Sequence, residues 1–206
     1  MLFDFDGTLT NPGALDFPAL RQALGCPPGT LILEYIDALP TEEERSLKRR
    51  ILADFEDTAA RASVPNEGAE ETVTLLRRHG IRVGILTRNS RTSVLTSLAN
   101  FRSLTPADFQ VILTRESGGR PKPHPDGVLA AARALGIPVN ELLVVGDFVF
   151  DIAAGQAAGA ATALLTNGSA APGVPSVPVR AVPDHTIRKL GELAQILGVG
   201  EEAPRR

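Results

Sequence analysis

Apolar and polar positions along this chain follow two different periods, and the changes of period divide it into parts. A short apolar run of Leu2, Phe3 and Phe5 reads as a strand, short for a central one because only three residues precede Asp4. From Pro12 to Val64 the spacing is helical throughout. Leu15, Phe17, Leu20 and Leu24 form one stripe, broken by Gly25-Cys26-Pro27-Pro28-Gly29; Leu31, Ile32, Tyr35, Ile36 and Leu39 form a second, closed by Pro40. Thr41 ahead of Glu42, Glu43 and Glu44 predicts an N-cap with an acidic first turn, opening a third helix that runs to about Ala62.

From Pro65 helix and strand alternate. Helices are predicted over Glu67 to His79, Ser90 to Leu98, Asp126 to Leu135 and Ile152 to Ala158. Between them come strands over Ile81 to Leu86, Phe109 to Leu113, Leu142 to Gly146 and Ala161 to Leu165. The Pro- and Gly-rich stretch from Gly168 to Pro183 reads as a surface connection, with Val177-Pro178-Val179 an edge strand at most. Asp184 then predicts the cap of a final helix carrying Ile187, Leu190, Leu193 and Ile196 on one face, and Glu201 to Arg206 a frayed tail. Such alternation implies parallel strands joined by right-handed crossovers. The fold expected is therefore α/β: a doubly wound parallel sheet from residues 1–11 and 65–206, with a small α-helical cap, residues 12–64, inserted after the first strand.

Composition narrows the functions this fold could carry. Of 206 residues 43% are hydrophobic and 22% charged, enough to bury a substantial core. Twenty-one basic against 24 acidic side chains, with no basic block, argue against nucleic acid as the partner. No apolar run approaches the ~20 residues of a membrane span and no basic-then-apolar leader precedes the first strand, so a cytoplasmic location without membrane attachment is expected. The single cysteine, Cys26, excludes an internal disulfide, suits a reducing cytosol and reads as apolar filler. The charge run from Glu42 to Arg50 reads as a solvated helix face. His79, His124 and His185 fall at a helix end, a loop and a helix start, without metal-ligand spacing.

The chemistry sits where strands end. Alternation puts Asp4 and Asp6 on one side of an extended segment that Gly7 then turns. Two buried carboxylates so placed are expensive unless a divalent cation lies between them. In an open parallel sheet, ligands bind beyond the carboxyl ends of the strands. Asp4 and Asp6, Thr87 to Ser90, and Asp147 all follow strand ends, and Asp151 lies one turn beyond Asp147. Four aspartates at one rim repel unless a cation is present, and oxygen-only ligation points to Mg²⁺ rather than zinc. Taken alone, Asp151 reads equally as a helix N-cap. Thr87, at a helix start, is a natural phosphate seat, and Lys122 is stiffened between Pro121 and Pro123.

Taken in order, Asp4-Phe5-Asp6-Gly7-Thr8, Thr87, Lys122-Pro123-His124-Pro125-Asp126 and Gly146-Asp147-xxx-Asp151 resemble the four motifs of the haloacid dehalogenase-like (HAD) hydrolases, most of which are Mg²⁺-dependent phosphatases. The likeness spans residues 1 to about 165 and is nearest to phosphoglycolate phosphatase-like members with a C1 cap. It implies that Asp4 is a nucleophile forming an aspartyl-phosphate and Asp6 a general acid/base. Thr87 and Lys122 would then neutralise the transferring phosphoryl group, and Asp4, the Asp6 carbonyl, Asp147 and Asp151 would hold Mg²⁺. Arg88 and Asn89, beside Thr87, are candidates for contacting a substrate carboxylate or hydroxyl. Phe148 departs from the small or polar residue common after the first acid of the last motif. The implied partner is a small phosphorylated metabolite. A dehalogenase would lack an acid at the Asp6 position, and a phosphonate-cleaving relative would want a Schiff-base lysine where the cap offers only Lys48. A phosphomutase uses the same motifs, and a catalytically silent scaffold is the alternative from another class.

Overall fold

The computed structural model describes residues 1–169 and 179–200. Six short strands form one sheet in which every pairing is parallel. They are β1 (Leu2–Phe3), β2 (Gly84–Leu86), β3 (Val111–Leu113), β4 (Leu143–Gly146), β5 (Ala161–Leu165) and β6 (His185–Ile187), in spatial order β3-β2-β1-β4-β5-β6. The chain thus moves outward from β1 through β3 on one side, returns to lay β4 against β1, and moves outward again. Strand order reverses between β1 and β4, and the crevice beyond their carboxyl ends is where such a sheet binds ligands.

Period-two alternation explains why both faces are covered. Phe3, Ile85 and Val145 point into one apolar core, completed by Val73 and Leu76 of α4 (Ala69–Arg78) and Val94 and Leu98 of α5 (Arg91–Leu98). Their neighbours Leu2, Leu86 and Val144 point into a second core, with Val128, Ala131 and Leu135 of α6 (Asp126–Leu135) and Ala154 of α7 (Val149–Ala158). Residues 12–64 contribute no strand. Their helices α1 (Phe17–Leu24), α2 (Ile32–Asp37) and α3 (Glu42–Ala62) enclose a third, smaller cluster of Leu20, Leu24, Cys26, Ile36 and Leu52. At α3 Thr41 and Glu44 form the reciprocal capping box that the Thr-Glu-Glu-Glu run suggests. The Glu42 to Arg50 charges pair among themselves and with Asp37 on an exposed surface.

The expected helix after Asp184 is not formed. His185–Ile187 instead adds β6 to the sheet edge, with Ile187 paired to Leu165. Leu190–Glu192 then makes a 3₁₀ turn, and only Leu193–Ile196 is α-helical, as α8. Asp184 caps nothing; its carboxylate takes the backbone N–H and hydroxyl of Thr162, both at 2.8 Å. The apolar spacing was genuine, because Ile187, Leu190 and Leu193 all enter the larger core, but a strand followed by a tight turn meets it as well as a helix does. His185 accordingly lies in a strand rather than at a helix start. Of the suggested edge strand, Val177 and Pro178 lie outside the described residues, and Val179 is not in a strand. Among the described residues no helix is long and apolar enough to cross a membrane.

Candidate active site

The loop after β1 is shaped by its own backbone. The Phe5 carbonyl accepts the N–H groups of Leu9 and Thr10, both at 2.9 Å, so the chain doubles back directly after the two aspartates. Gly7 makes this turn at φ +77°, and a Cβ there would lie 2.2 Å from the Asp147 carboxylate. Two asparagines brace the loop from outside. Asn66 donates to the Thr8 carbonyl (2.9 Å) and Asn167 to the Gly7 carbonyl (2.8 Å). Neither was singled out in the sequence. Asn167 also takes a positive φ of 51°, which asparagine tolerates.

Lys122 is the pivot of the site. It is 5% exposed, and its ammonium donates to Asp4 Oδ1 (2.6 Å), Asp151 Oδ1 (2.6 Å) and the Leu86 carbonyl (2.9 Å), using all three of its protons. Burial by itself would lower the lysine's pKa, but Asp151 and Asp4 outweigh it and hold the group charged. Asp151 is not the N-cap of α7, a place taken by Phe148; it stands at the third position of the helix, and its carboxylate is shared. Its Oδ1 binds Lys122, while Oδ2 accepts the Phe148 N–H at 3.2 Å in the first turn of α7. Gly146 leaves room for this, since a Cβ there would meet the Asp151 carboxyl at 2.2 Å.

Asp4, Asp147 and Asp151 each place one carboxylate oxygen within 4.8 Å of the others. Three carboxylates against one ammonium leave two negative charges uncompensated. The strain is visible in the acids: burial and the Asp4 and Asp151 charges push Asp147 up to about 8, and burial with the Asp4 charge pushes Asp151 up to about 6. An all-oxygen set short of two positive charges fits a hard divalent cation.

Asp6 turns the other way. Its carboxylate accepts from the Thr87 hydroxyl (3.3 Å) and, at both oxygens, from the Asn89 amide (3.1 and 3.2 Å). Burial, then the charge of Asp4, push its pKa up to about 6. The side chains that follow Thr87 are thus engaged with the protein. Arg88 donates to Glu34 of α2 at 2.7 Å and to the Lys122 carbonyl, with its guanidinium carbon 5.5 Å from the centroid of the Phe150 ring. Phe148, at the start of α7, packs edge-on against that ring. A cleft of about 520 Å³ opens beside Thr87 and Lys122, between the segment leaving β3 and helices α2 and α3. Glu56 of α3, buried there, binds Arg115 through both oxygens, a contact the sequence pattern did not signal.

Known proteins resemble this chain in sequence and fold. Residues 1–165 match the family model described as haloacid dehalogenase-like hydrolase. An uncharacterized hydrolase of Saccharomyces cerevisiae is 37% identical over 169 residues, covering 81% of this chain and 77% of the relative. The pyrophosphatase PpaX of Halalkalibacterium halodurans is 30% identical over 215 residues, covering 97% and 96%. Among solved structures, a hydrolase of Bacillus subtilis bound to magnesium superposes with a TM-score of 0.67 at 22% identity, over 96% of this chain and 97% of that one.

Proposed function

Because the chain belongs to the haloacid dehalogenase-like hydrolase family, we propose that it is a Mg²⁺-dependent phosphatase that hydrolyses a small phosphorylated metabolite through an aspartyl-phosphate on Asp4. The observation that carries this reading is the single ammonium of Lys122 shared by Asp4 and Asp151, with Asp147 closing the carboxylate triad. Asp4, Asp147 and Asp151 would hold the Mg²⁺, with the Asp6 carbonyl as a further ligand. When bound, Mg²⁺ screens the charge of the carboxylates from the incoming phosphate. A pyrophosphatase among the relatives and a magnesium-bound hydrolase of the same fold support the assignment.

The chain's own residues divide the chemistry between them. An Asp4 carboxylate oxygen bonds to phosphorus as the bond from phosphorus to the leaving oxygen breaks. Asp6, with its pKa near 6, is poised to give that oxygen its proton and then to take one from the attacking water. The water oxygen attacks phosphorus, the bond to Asp4 breaks, and inorganic phosphate leaves. The Lys122 ammonium offsets the charge of the phosphoryl oxygens, and the Thr87 hydroxyl is a hydrogen-bond donor to them. Arg88 and Asn89 serve by holding the Lys122 loop and the Asp6 carboxylate in place. Residues 12–64 form a cap over the cleft, a role consistent with their separate apolar cluster. The test is release of free phosphate from p-nitrophenyl phosphate with Mg²⁺ and with EDTA. Turnover only with the metal is expected; folded protein inactive in both would overturn the proposal. Following the organic product of a sugar phosphate separates hydrolysis from mutase transfer.

A further inference from the structure

The cleft beside Thr87 and Lys122 contains one more group that is built rather than incidental. Arg115 follows β3, and its backbone N–H donates to the Asn89 carbonyl at 3.0 Å, joining the exits of β2 and β3 directly beside the phosphoryl seat. Arg115 lines the cleft, and its guanidinium is held by Glu56, which does not line it, with paired bonds of 2.8 and 2.9 Å. Glu56 is 5% exposed, so α3 has buried a carboxylate whose two oxygens both serve to orient this arginine. The pair uses two of the five guanidinium N–H groups, and among the described residues no side chain or carbonyl takes the other three. The other arginines of the wall differ. Arg49 and Arg120 are themselves more exposed than Arg115 and pair at the rim, the first with Asp37 and Glu42 and the second with Asp126.

We propose that Arg115 anchors a second anionic group on the substrate's leaving alcohol, so that the preferred substrates are phosphomonoesters bearing a carboxylate or a second phosphate. This rests on the phosphatase reading above. A planar fork already fixed by Glu56 presents its remaining donors without further ordering cost, and carboxylate and phosphate match that fork geometrically. A neutral alcohol leaves those donors to water and gains no charge-assisted bond. Arg115 and the pair Thr87 and Lys122 then grip the two ends of one molecule, and the cleft between them takes its carbon chain.

Matched substrates test this. 3-Phosphoglycerate is compared with glycerol 3-phosphate, and propane-1,3-diyl bisphosphate with 3-hydroxypropyl phosphate; the two comparisons separate a carboxylate from a phosphate as the anion. In at least one, the doubly anionic ester should be favoured about tenfold or more in kcat/KM, and Arg115→Gln should bring that ratio close to one. Glu56→Gln should lower it part of the way, because the arginine loses its orientation. Calorimetry on the Asp4→Asn protein reads the same preference as a difference in affinity without turnover. Equal kcat/KM within both substrate pairs in an active wild-type enzyme would overturn the proposal, as would a preference that survives Arg115→Gln in a folded protein. Wild-type protein that turns over no ester of either kind refutes the phosphatase reading instead, and the calorimetric preference still decides the role of Arg115.

Discussion

The sheet edge and the helical segment are built on opposite principles. At the edge, the side chains of Lys122, Asp6 and Asp151 each make at least two bonds, Asp4 is bound to Lys122 through its carboxylate and to the Val145 carbonyl through its backbone N–H, and the strands beneath them are packed on both faces. Residues 12–64 have only a small apolar cluster of their own. Besides packing, ion pairs tie them to the sheet and its helices at Glu34–Arg88 and Glu56–Arg115, and the Asn100 amide donates to the Ala60 and Ser63 carbonyls at the end of α3. The reactive groups are fixed by bonds to one another; the helices above them are held by the packing of α3 on α5 and by these polar ties at the surface. Tolerance of substitution should therefore differ sharply between the two regions.

Asp4→Asn should produce the largest effect. It is expected to cost on the order of 10³-fold or more in turnover, since an amide cannot serve as the nucleophile. The fold should persist, because the change removes one charge from a cluster that already carries too many. Circular dichroism with an assay for released phosphate checks both halves. An active Asp4→Asn enzyme would end the assignment.

Lys122→Met asks whether the edge is as rigidly coupled as it looks. Removing the one cation leaves Asp4 and Asp151 buried without it, an arrangement expected to cost about 3–5 kcal/mol in denaturant unfolding with EDTA present. Mg²⁺ should restore part of that loss. A variant as stable as wild type in EDTA would mean that the carboxylates do not depend on the lysine.

Asp147→Asn should change sign with the metal. Without Mg²⁺ the variant relieves repulsion with Asp4 and Asp151 and should gain on the order of 1 kcal/mol. With Mg²⁺, wild type should gain about 2.7 kcal/mol at a hundredfold excess over Kd, whereas the variant should gain much less. Thermal scans with EDTA and with Mg²⁺ compare them; equal Mg²⁺ shifts in the two proteins would remove Asp147 from the metal site.

The same contrast governs what could be read from the amino-acid order. The edge was legible because its signals are local: an apolar run ending in Asp4-Phe5-Asp6-Gly7, another ending in Gly146-Asp147, and helices stopped by left-handed glycines such as Gly136 and Gly159. β6 was misread because its ladder partner Leu165 lies far back along the chain, and an apolar spacing of three does not reveal it. For Arg88 the residue was visible but its partners were not. Glu34 lies 54 positions earlier and Lys122 34 later, and no local pattern joins them. Asn66 and Asn167 were invisible for a related reason: they bind backbone carbonyls, which every residue possesses.

The smallest expected effect decides to which region Arg88 belongs. Its bond to Glu34 joins side chains that are 21% and 42% exposed, so solvent screening should hold that pair below about 1 kcal/mol. Glu34→Gln is therefore expected to leave stability within about 0.5 kcal/mol of wild type. Arg88→Gln removes the same pair, and also the bond to the Lys122 carbonyl and the cation over Phe150. It should cost about 1.5–3 kcal/mol, and because the Lys122 loop loses its support, kcat should fall more than KM rises. If the two substitutions cost the same, Arg88 acts mainly through the helices above the site. If Arg88→Gln costs clearly more and the double variant adds nothing to it, the arginine belongs with the rigid edge, and Glu34 merely rests on it.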